Sequence, residues 1–282
     1  MIINERIKVV LGAAAAAAIA GRVWRAWRAI DFAGKSVLIF GGSRGLGLVL
    51  ARELGAQGAR LVLAARDRSE LDRARLDLAE RGIPATVIAC DIRRRDEVDA
   101  AIQQVVNAMG VIDVLINDAG IIQVGPFDQM TTEDFEDAMA THFWGPLFAI
   151  LAAVPHMRDS GARRIVNISS IGGKIAVPHL LPYCASKFAL TGMSEGLYAE
   201  LAKDGFCVTT VCPGLMRTGG SYNARFKGQH RREFAWFHIA DSLPGLSIDA
   251  GRAARQIIDA CRHGDPELII TWPARLAMVF NA

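Results

Sequence analysis

The chain has 282 residues, 51% of them hydrophobic and 22% charged, with a formal net charge of +3. That composition is globular and long enough to bury an α/β core, which excludes a disordered chain; so small a charge excess argues against a nucleic-acid surface. The five cysteines, Cys90, Cys184, Cys207, Cys212 and Cys261, form no CxxC pair and no Cys/His ligand cluster, so they read as buried free thiols of a reducing compartment and no metal site is expected.

In chain order, residues 9–21 (VVLGAAAAAAIAG) come first and carry no charge. As a helix rising about 1.5 Å per residue they reach about 20 Å, short of a bilayer core of about 30 Å. Arg22, Arg25 and Arg28 then recur every three residues beside Trp24 and Trp27. Such a helix suits a headgroup zone, or packs on its own domain or a second subunit; Glu5 and the cysteine pattern speak against a cleaved signal. Residues 1–33 are therefore set apart as a helical extension, and 9–32 as a membrane-surface or packing segment.

From Lys35 onward, apolar runs of strand length fall at 36–40, 60–65, 85–90, 113–117, 164–169, 207–212 and 267–271. Each is hydrophobic without alternation, as in a parallel sheet covered on both faces. Helical patterns lie between them at 46–57, 69–81, 96–109, 132–158, 182–203 and 249–263. Seven strands joined by helices predict an α/β, doubly wound Rossmann fold spanning 34–282 as one domain. Residues 214–248 show no clear pattern and are expected to form a lid.

The turn between the first strand and first helix reads FGGSRGLG, residues 40–47. Gly41, Gly45 and Gly47 permit a tight turn and close backbone approach, and the helix start offers free N–H groups to an anion. The lack of Gly-Lys-Ser/Thr excludes a nucleoside-triphosphate loop. Farther on, PYCASKF places Tyr183 four residues before Lys187, one helical turn apart on one face. An ammonium there is expected to favour the phenolate and lower a reference pKa of about 10, which would make the tyrosine a proton donor or acceptor near neutral pH.

With FGGSRGLG in place, the further matches CD (90–91), NDAG (117–120), VNISS (166–170), YCASK (183–187) and PGLMRT (213–218) follow in order. Over about residues 34–271 the chain resembles the short-chain dehydrogenase/reductase family, with Phe40 in place of the usual threonine. The resemblance implies a sheet of order 3-2-1-4-5-6-7 and an NAD(P)-dependent oxidoreductase. It implies cofactor contacts from Gly41, Ser43, Arg44, Gly45, Leu46 and Gly47, and from Asn117, Ala119 and Gly120. Asp91 resembles the aspartate that bonds the adenine amino group, with Ile92 packing near the ring. Pro213 and Gly214 resemble the turn that seats the nicotinamide, and Thr218 the residue that bonds its carboxamide or the pyrophosphate.

Cofactor choice is read from the end of the second strand, where an acidic residue would hold both ribose hydroxyls of NAD. Ala65 stands there, Arg66 follows, and Arg44 lies in the glycine turn. Two guanidiniums suit a 2′-phosphate, so NADP(H) is favoured over NAD(H), with Asp67 expected to point past the ribose.

By resemblance, Ser170, thirteen residues before Tyr183, holds the substrate oxygen, Tyr183 moves the proton, and Lys187 bonds the nicotinamide ribose and depresses the Tyr183 pKa. Ser169 is the adjacent alternative. The family places an asparagine where this chain has His142. That asparagine stabilises a helix distortion whose carbonyl holds a water linked to the lysine. His142 is expected either to keep that chain and add a pH dependence near 6.5, or to weaken the relay, which would leave a cofactor-binding scaffold without turnover. Asp118 replaces the second asparagine of the family's Asn-Asn-Ala-Gly.

The lid carries Tyr222, Phe226, Phe234, Trp236 and Phe237 with Arg225, Lys227, Arg231 and Arg232, which suits a hydrophobic substrate with an acidic handle, such as an acyl thioester, or a lid that packs its aromatics inward; the substrate expected overall is a moderately hydrophobic ketone, aldehyde or alcohol. The tail TWPARLAMVFNA is expected to join the N-terminal helix in one apolar, basic patch. The resemblance implies a homodimer or homotetramer, and a cytoplasmic enzyme associated or not with the membrane surface.

Overall fold

The computed structural model describes residues 5–217, 223–229 and 247–281. Seven parallel strands form one sheet: β1 (Ser36–Phe40), β2 (Arg60–Ala65), β3 (Ala85–Ala89), β4 (Val114–Asn117), β5 (Arg164–Ile168), β6 (Cys207–Pro213) and β7 (Glu267–Ile270). Their spatial order is β3-β2-β1-β4-β5-β6-β7. The chain is thus a doubly wound α/β Rossmann fold, as expected. Nine α-helices are described: α1 (Glu5–Trp27), α2 (Gly45–Gly55), α3 (Arg68–Glu80), α4 (Arg95–Met109), α5 (Thr132–Met139), α6 (Gly145–Met157), α7 (Leu181–Leu201), α8 (Ala250–His263) and α9 (Trp272–Asn281).

The hydrophobic strands are apolar throughout because both sheet faces are covered. In β1, Val37 and Ile39 face one core with Leu50 and Leu54 of α2, Leu71 of α3 and Ile257 of α8. Leu38 and Phe40 face the other with Ile102 of α4 and Ile150 and Met157 of α6. Burying each such side chain contributes roughly 1.5–3 kcal/mol. Successive strands wind outward in both directions from β1, which pairs with β2 on one side and β4 on the other. At that reversal the loops after β1 and β4 part, and a crevice opens at the carboxyl edge.

Element ends differ from the sequence reading by a residue or two, and two differences are larger. Residues 132–158 are not one regular helix: Ala140–Trp144 forms a π-helical turn between α5 and α6. The N-terminal helix runs unbroken from Glu5 to Trp27, within the expected extension 1–33. The tail forms α9, whose first turn lies beside Gly214 at the carboxyl edge. The end of α1 lies instead at the amino edge, where the Arg28 guanidinium donates to the Gly264 carbonyl at 3.0 Å and to Cys207 Sγ at 2.7 Å. The single patch expected from the two termini is therefore not formed by these segments.

The amino edge is held by closed polar networks. Arg164, buried at the start of β5, donates to the Cys261 and Ala162 carbonyls at 2.9 and 2.8 Å, to Cys207 Sγ at 2.9 Å and to the Arg28 carbonyl at 2.6 Å. The Cys261 carbonyl belongs to the last turn of α8, where the helix dipole favours a cation. Asp113 accepts from the Ser36 N–H at 2.9 Å and the Ser160 hydroxyl at 2.7 Å, with Lys35 Nζ at 3.7 Å. Burial would raise its carboxyl, but these donors hold it below the usual range. All five cysteines are buried and free.

Candidate active site

The glycine turn joins β1 to α2. Gly41 has φ 87°, and a Cβ there would lie 2.6 Å from the Ala119 nitrogen; a Cβ on Gly47 would lie 2.3 Å from the Gly41 oxygen. Only glycine lets the turn fold this closely on the loop after β4. Arg44, the N-cap of α2, makes no side-chain cap bond; of the first N–H groups Gly47 donates to Asp118, which leaves those of Gly45 and Leu46 to meet an anion.

A cleft of about 660 Å³ opens above this turn. Gly41, Ser43, Arg44, Gly45 and Leu46 form its floor, Arg66, Asp91 and Ile92 one end, and Ala119, Gly120, His142, Tyr183 and Lys187 the other. The sequence-predicted residues thus converge, with a few exceptions. Gly47 lies under the turn, and neither it nor Ser170 is on the cleft wall, where Ser169 stands. Asn117 is buried in the sheet, its Nδ2 donating to Asn167 Oδ1 of the paired β5 at 2.8 Å, so it braces strands instead of touching a ligand. Pro213 ends β6 and the Gly214 N–H donates to the Ile270 carbonyl at 3.1 Å; Met216, two residues on, reaches the wall in their place. Thr218 lies outside the described residues, as do Tyr222, Arg231, Arg232, Phe234, Trp236 and Phe237.

At the adenosine end Asp67, Asp91 and Arg44 already have partners. Asp67 caps α3, accepting from the Ser69 hydroxyl at 2.7 Å and the Glu70 N–H at 3.0 Å. Asp91 is held by the Arg93 guanidinium at 2.7–3.0 Å. Arg44 Nη1 donates to Glu70 Oε1 at 3.0 Å and to Asn223 Oδ1 at 2.7 Å, and the Ser43 hydroxyl also donates to Glu70. The role of Glu70 was not legible in the sequence, because only the fold brings the first turn of α3 to the glycine turn.

At the reacting end, the Tyr183 hydroxyl is hydrogen-bonded to the Ser170 side chain. Ser170 Oγ also accepts from the Gly172 N–H at 3.0 Å. Ser169 lines the cleft, but its hydroxyl donates to the Lys187 carbonyl at 3.1 Å and lies 2.7 Å from Thr191 Oγ1. Ser170 is therefore the serine that meets the tyrosine. Lys187 Nζ lies 5.8 Å from the Tyr183 ring centre and donates to the Ile168 carbonyl at 2.7 Å. The expected depression of the tyrosine is not found. Burial dominates and pushes the phenol up to about 12, with the Ser170 bond acting in the opposite direction. Burial likewise brings the Lys187 ammonium down to about 8, opposed by the Asp118 carboxylate.

His142 sits inside the π-helical turn, fully buried. Its Nε2 accepts the Ile121 N–H at 3.1 Å, so the proton is on Nδ1, which lies 2.7 Å from Ser186 Oγ. Ser186 in turn donates to the Tyr183 carbonyl at 2.8 Å. The helix distortion expected of an asparagine thus forms with histidine, through a chain running from the loop after β4 to the backbone of Tyr183. Burial, followed by the nearby Lys187 charge, holds the imidazole well below 6.5. The expected titration near neutral pH is ruled out by that burial. His142 orients the tyrosine and is not placed to exchange a proton with a ligand.

Asp118 is a more consequential departure than its sequence suggests. Its carboxyl accepts the Gly47 N–H and lies against the glycine turn. Burial raises it to about 7, against the pull of Lys187 and Gly47.

The residues fit a dinucleotide on three observations: the glycine floor that a Cβ would block, the uncapped α2 N-terminus, and the buried Thr141 hydroxyl on the cleft wall, which has no partner among the described residues. Comparisons with known proteins agree. The family model described as short chain dehydrogenase matches residues 35–227. A gluconate 5-dehydrogenase of Gluconobacter oxydans is 33% identical over 188 residues, 67% of this chain and 73% of that protein. A ketoacyl reductase of Nostoc sp. is 31% identical over 238 residues, 84% of this chain and 78% of that one. The crystal structure of a short-chain dehydrogenase from Streptomyces avermitilis is similar with a TM-score of 0.78 and 30% identity, covering 88% of this chain and 91% of that one. The chain belongs to the short-chain dehydrogenase/reductase family and is an NAD(P)-dependent oxidoreductase that interconverts carbonyl and alcohol groups.

Proposed function

We propose that the protein is an NADP(H)-dependent reductase or dehydrogenase of a moderately hydrophobic ketone, aldehyde or alcohol, with Tyr183 as proton donor and acceptor. The observation that carries this reading is the Ser170–Tyr183 hydrogen bond with the Lys187 ammonium buried beside it, above the glycine turn. Ser170 Oγ and the Tyr183 hydroxyl together present a donor pair to one substrate oxygen. Reduction takes a proton from the Tyr183 hydroxyl to that oxygen; oxidation returns it. The bound nicotinamide supplies the hydride chemistry. Lys187 holds positive charge near the phenol, and His142 with Ser186 fixes the backbone that aims it.

NADP(H) is favoured because Ala65 leaves no carboxylate at the β2 end, Asp67 is committed to capping α3, and Arg44 and Arg66 line that end of the cleft. A hydrophobic substrate is favoured because Tyr183 packs with Leu180, Ile122, Val177 and Phe226. The names of the two relatives, a gluconate dehydrogenase and a ketoacyl reductase, differ in substrate and do not choose between them. The same reading includes a homodimer or homotetramer, supported by exposed Trp144 and Leu151, and a cytoplasmic site, supported by five free thiols. It also keeps residues 34–282 as one catalytic domain behind a helical extension.

A panel of ketones and aldehydes assayed with NADPH and NADH tests the proposal. Turnover with NADPH, lost in Tyr183→Phe and weakened by Arg44→Ala with Arg66→Ala only for NADPH, is expected. Preference for NADH, or turnover retained in Tyr183→Phe, overturns it.

A further inference from the structure

The N-terminal helix is built for a surface that the rest of the fold does not provide. Its last turns are rooted firmly. Arg25 donates to Asp265 through Nε and Nη2, both at 2.9 Å, and also pairs with Asp259 at the end of α8. The Ile30 N–H donates to the Arg262 carbonyl at 3.1 Å, and Arg262 Nη1 returns a bond to the Ile30 carbonyl at 2.9 Å. The Arg262 guanidinium covers the Phe32 ring at 4.9 Å. Two of the three arginines that read as a basic stripe are therefore consumed in fixing the helix to the domain.

This rooting sets what the helix shows outward. The Trp24 and Trp27 rings lie 5.3 Å apart, tilted by 32°, and are 59% and 76% exposed. Ile19 and Val23 are exposed beside them, and nothing lies within 4 Å of a Cβ at Gly12 or Gly21. The projecting part, residues 9–21, is uncharged and bounded by Lys8 and Arg22. A helix apolar all round is ordinarily buried, whereas Ile19, Val23, Trp24 and Trp27 of this one face open space, which calls for a cover.

Its chemistry selects the cover. A cation at each end of the uncharged run and a tryptophan pair at its root match anionic headgroups above an acyl layer. The run of six alanines gives a protein partner few large side chains to grip. At about 20 Å the run is too short to cross a hydrocarbon core of about 30 Å. We propose that α1 docks the protein on an anionic lipid surface, lying in one leaflet with Arg22 at phosphate level and Trp24 and Trp27 at the headgroup boundary. The cleft then faces away from the lipid, since α1 is rooted at the amino edge of the sheet and the cleft opens at the carboxyl edge.

The test is flotation of the full chain with phosphatidylcholine vesicles, with and without phosphatidylglycerol, and quenching of its tryptophans by lipids brominated in the acyl chain. Flotation with the anionic vesicles, weakened by salt, is expected. Trp24→Ser with Trp27→Ser is expected to cut the bound fraction about tenfold and to remove most of the quenching, while Tm without vesicles stays unchanged. Arg22→Glu is expected to weaken binding to the anionic vesicles only. Absence of flotation with both vesicle types overturns the proposal. So does an oligomer that the tryptophan substitutions dissociate in the absence of lipid binding, which would make a second copy of the chain the cover.

Discussion

The two edges of one sheet treat charge in opposite ways. At the amino edge, Arg164 and Asp113 are both buried, and each has a full set of partners. At the carboxyl edge, Tyr183, Lys187, Asp118 and His142 share one wall of the cleft, and burial pushes each toward its neutral form. The first arrangement spends burial on holding elements together. The second leaves protonation states finely balanced, which is where a bound ligand has leverage. Rigidity at one edge lets the other keep groups that would be costly if they were free to relax.

The sharpest way to break this comparison is at Tyr183. Tyr183→Phe keeps the ring packing and removes the proton, so turnover is expected to fall by about 10³-fold or more with Tm nearly unchanged, as read by NADPH absorbance and thermal melts. Arg164→Ala is expected to do the reverse. It strands several carbonyls at the amino edge and should cost about 3 kcal/mol of stability in urea unfolding, with turnover per folded molecule preserved. Equal damage to both properties by either substitution would show that the edges are not separate in role.

Asp118 sharpens the contrast through pH. Its folded pKa, about 7, lies above the ordinary 3.8, so between those values the folded chain holds a proton that the unfolded chain has lost. Stability therefore falls as pH rises through that window, and the penalty is complete above about pH 7. Asp118→Asn is expected to gain about 1–2 kcal/mol at pH 8 and nothing at pH 3, the gain held down by partial exposure and by loss of the Lys187 attraction. A gain of equal size at both pH values would remove the carboxylate from the account.

Smaller effects are expected from the positioning groups. His142→Asn should lower turnover about tenfold by loosening the tie between Ile121 and Ser186, while the wild-type pH–rate profile shows no inflection from His142 between about pH 5 and 8. Glu70→Gln releases Arg44 from its competing carboxylate and is expected to tighten NADPH severalfold over NADH, measured by titration of cofactor binding.

Much of this was legible in the residues. The strands announced themselves because a two-sided parallel sheet demands continuous apolar runs, and Gly41, Gly45 and Gly47 because a tight turn tolerates nothing larger. Tyr183 and Lys187 could be paired because helical spacing is local. Asn117 was misjudged because its motif does not reveal that a sheet partner, Asn167, takes its amide. The basic stripe on α1 read as a surface feature because Asp259 and Asp265 lie more than 230 residues away in sequence.

By itself the sequence determined the architecture and the glycine turn, since each follows from periodicity or steric limits; the proton-transfer groups were singled out by the family resemblance, because helical spacing pairs Tyr183 with Lys187 without assigning them a role. Only the tertiary structure decided the protonation of those groups and the partners of the arginines. Both depend on burial and on charges brought together from distant strands and helices, which no local pattern records.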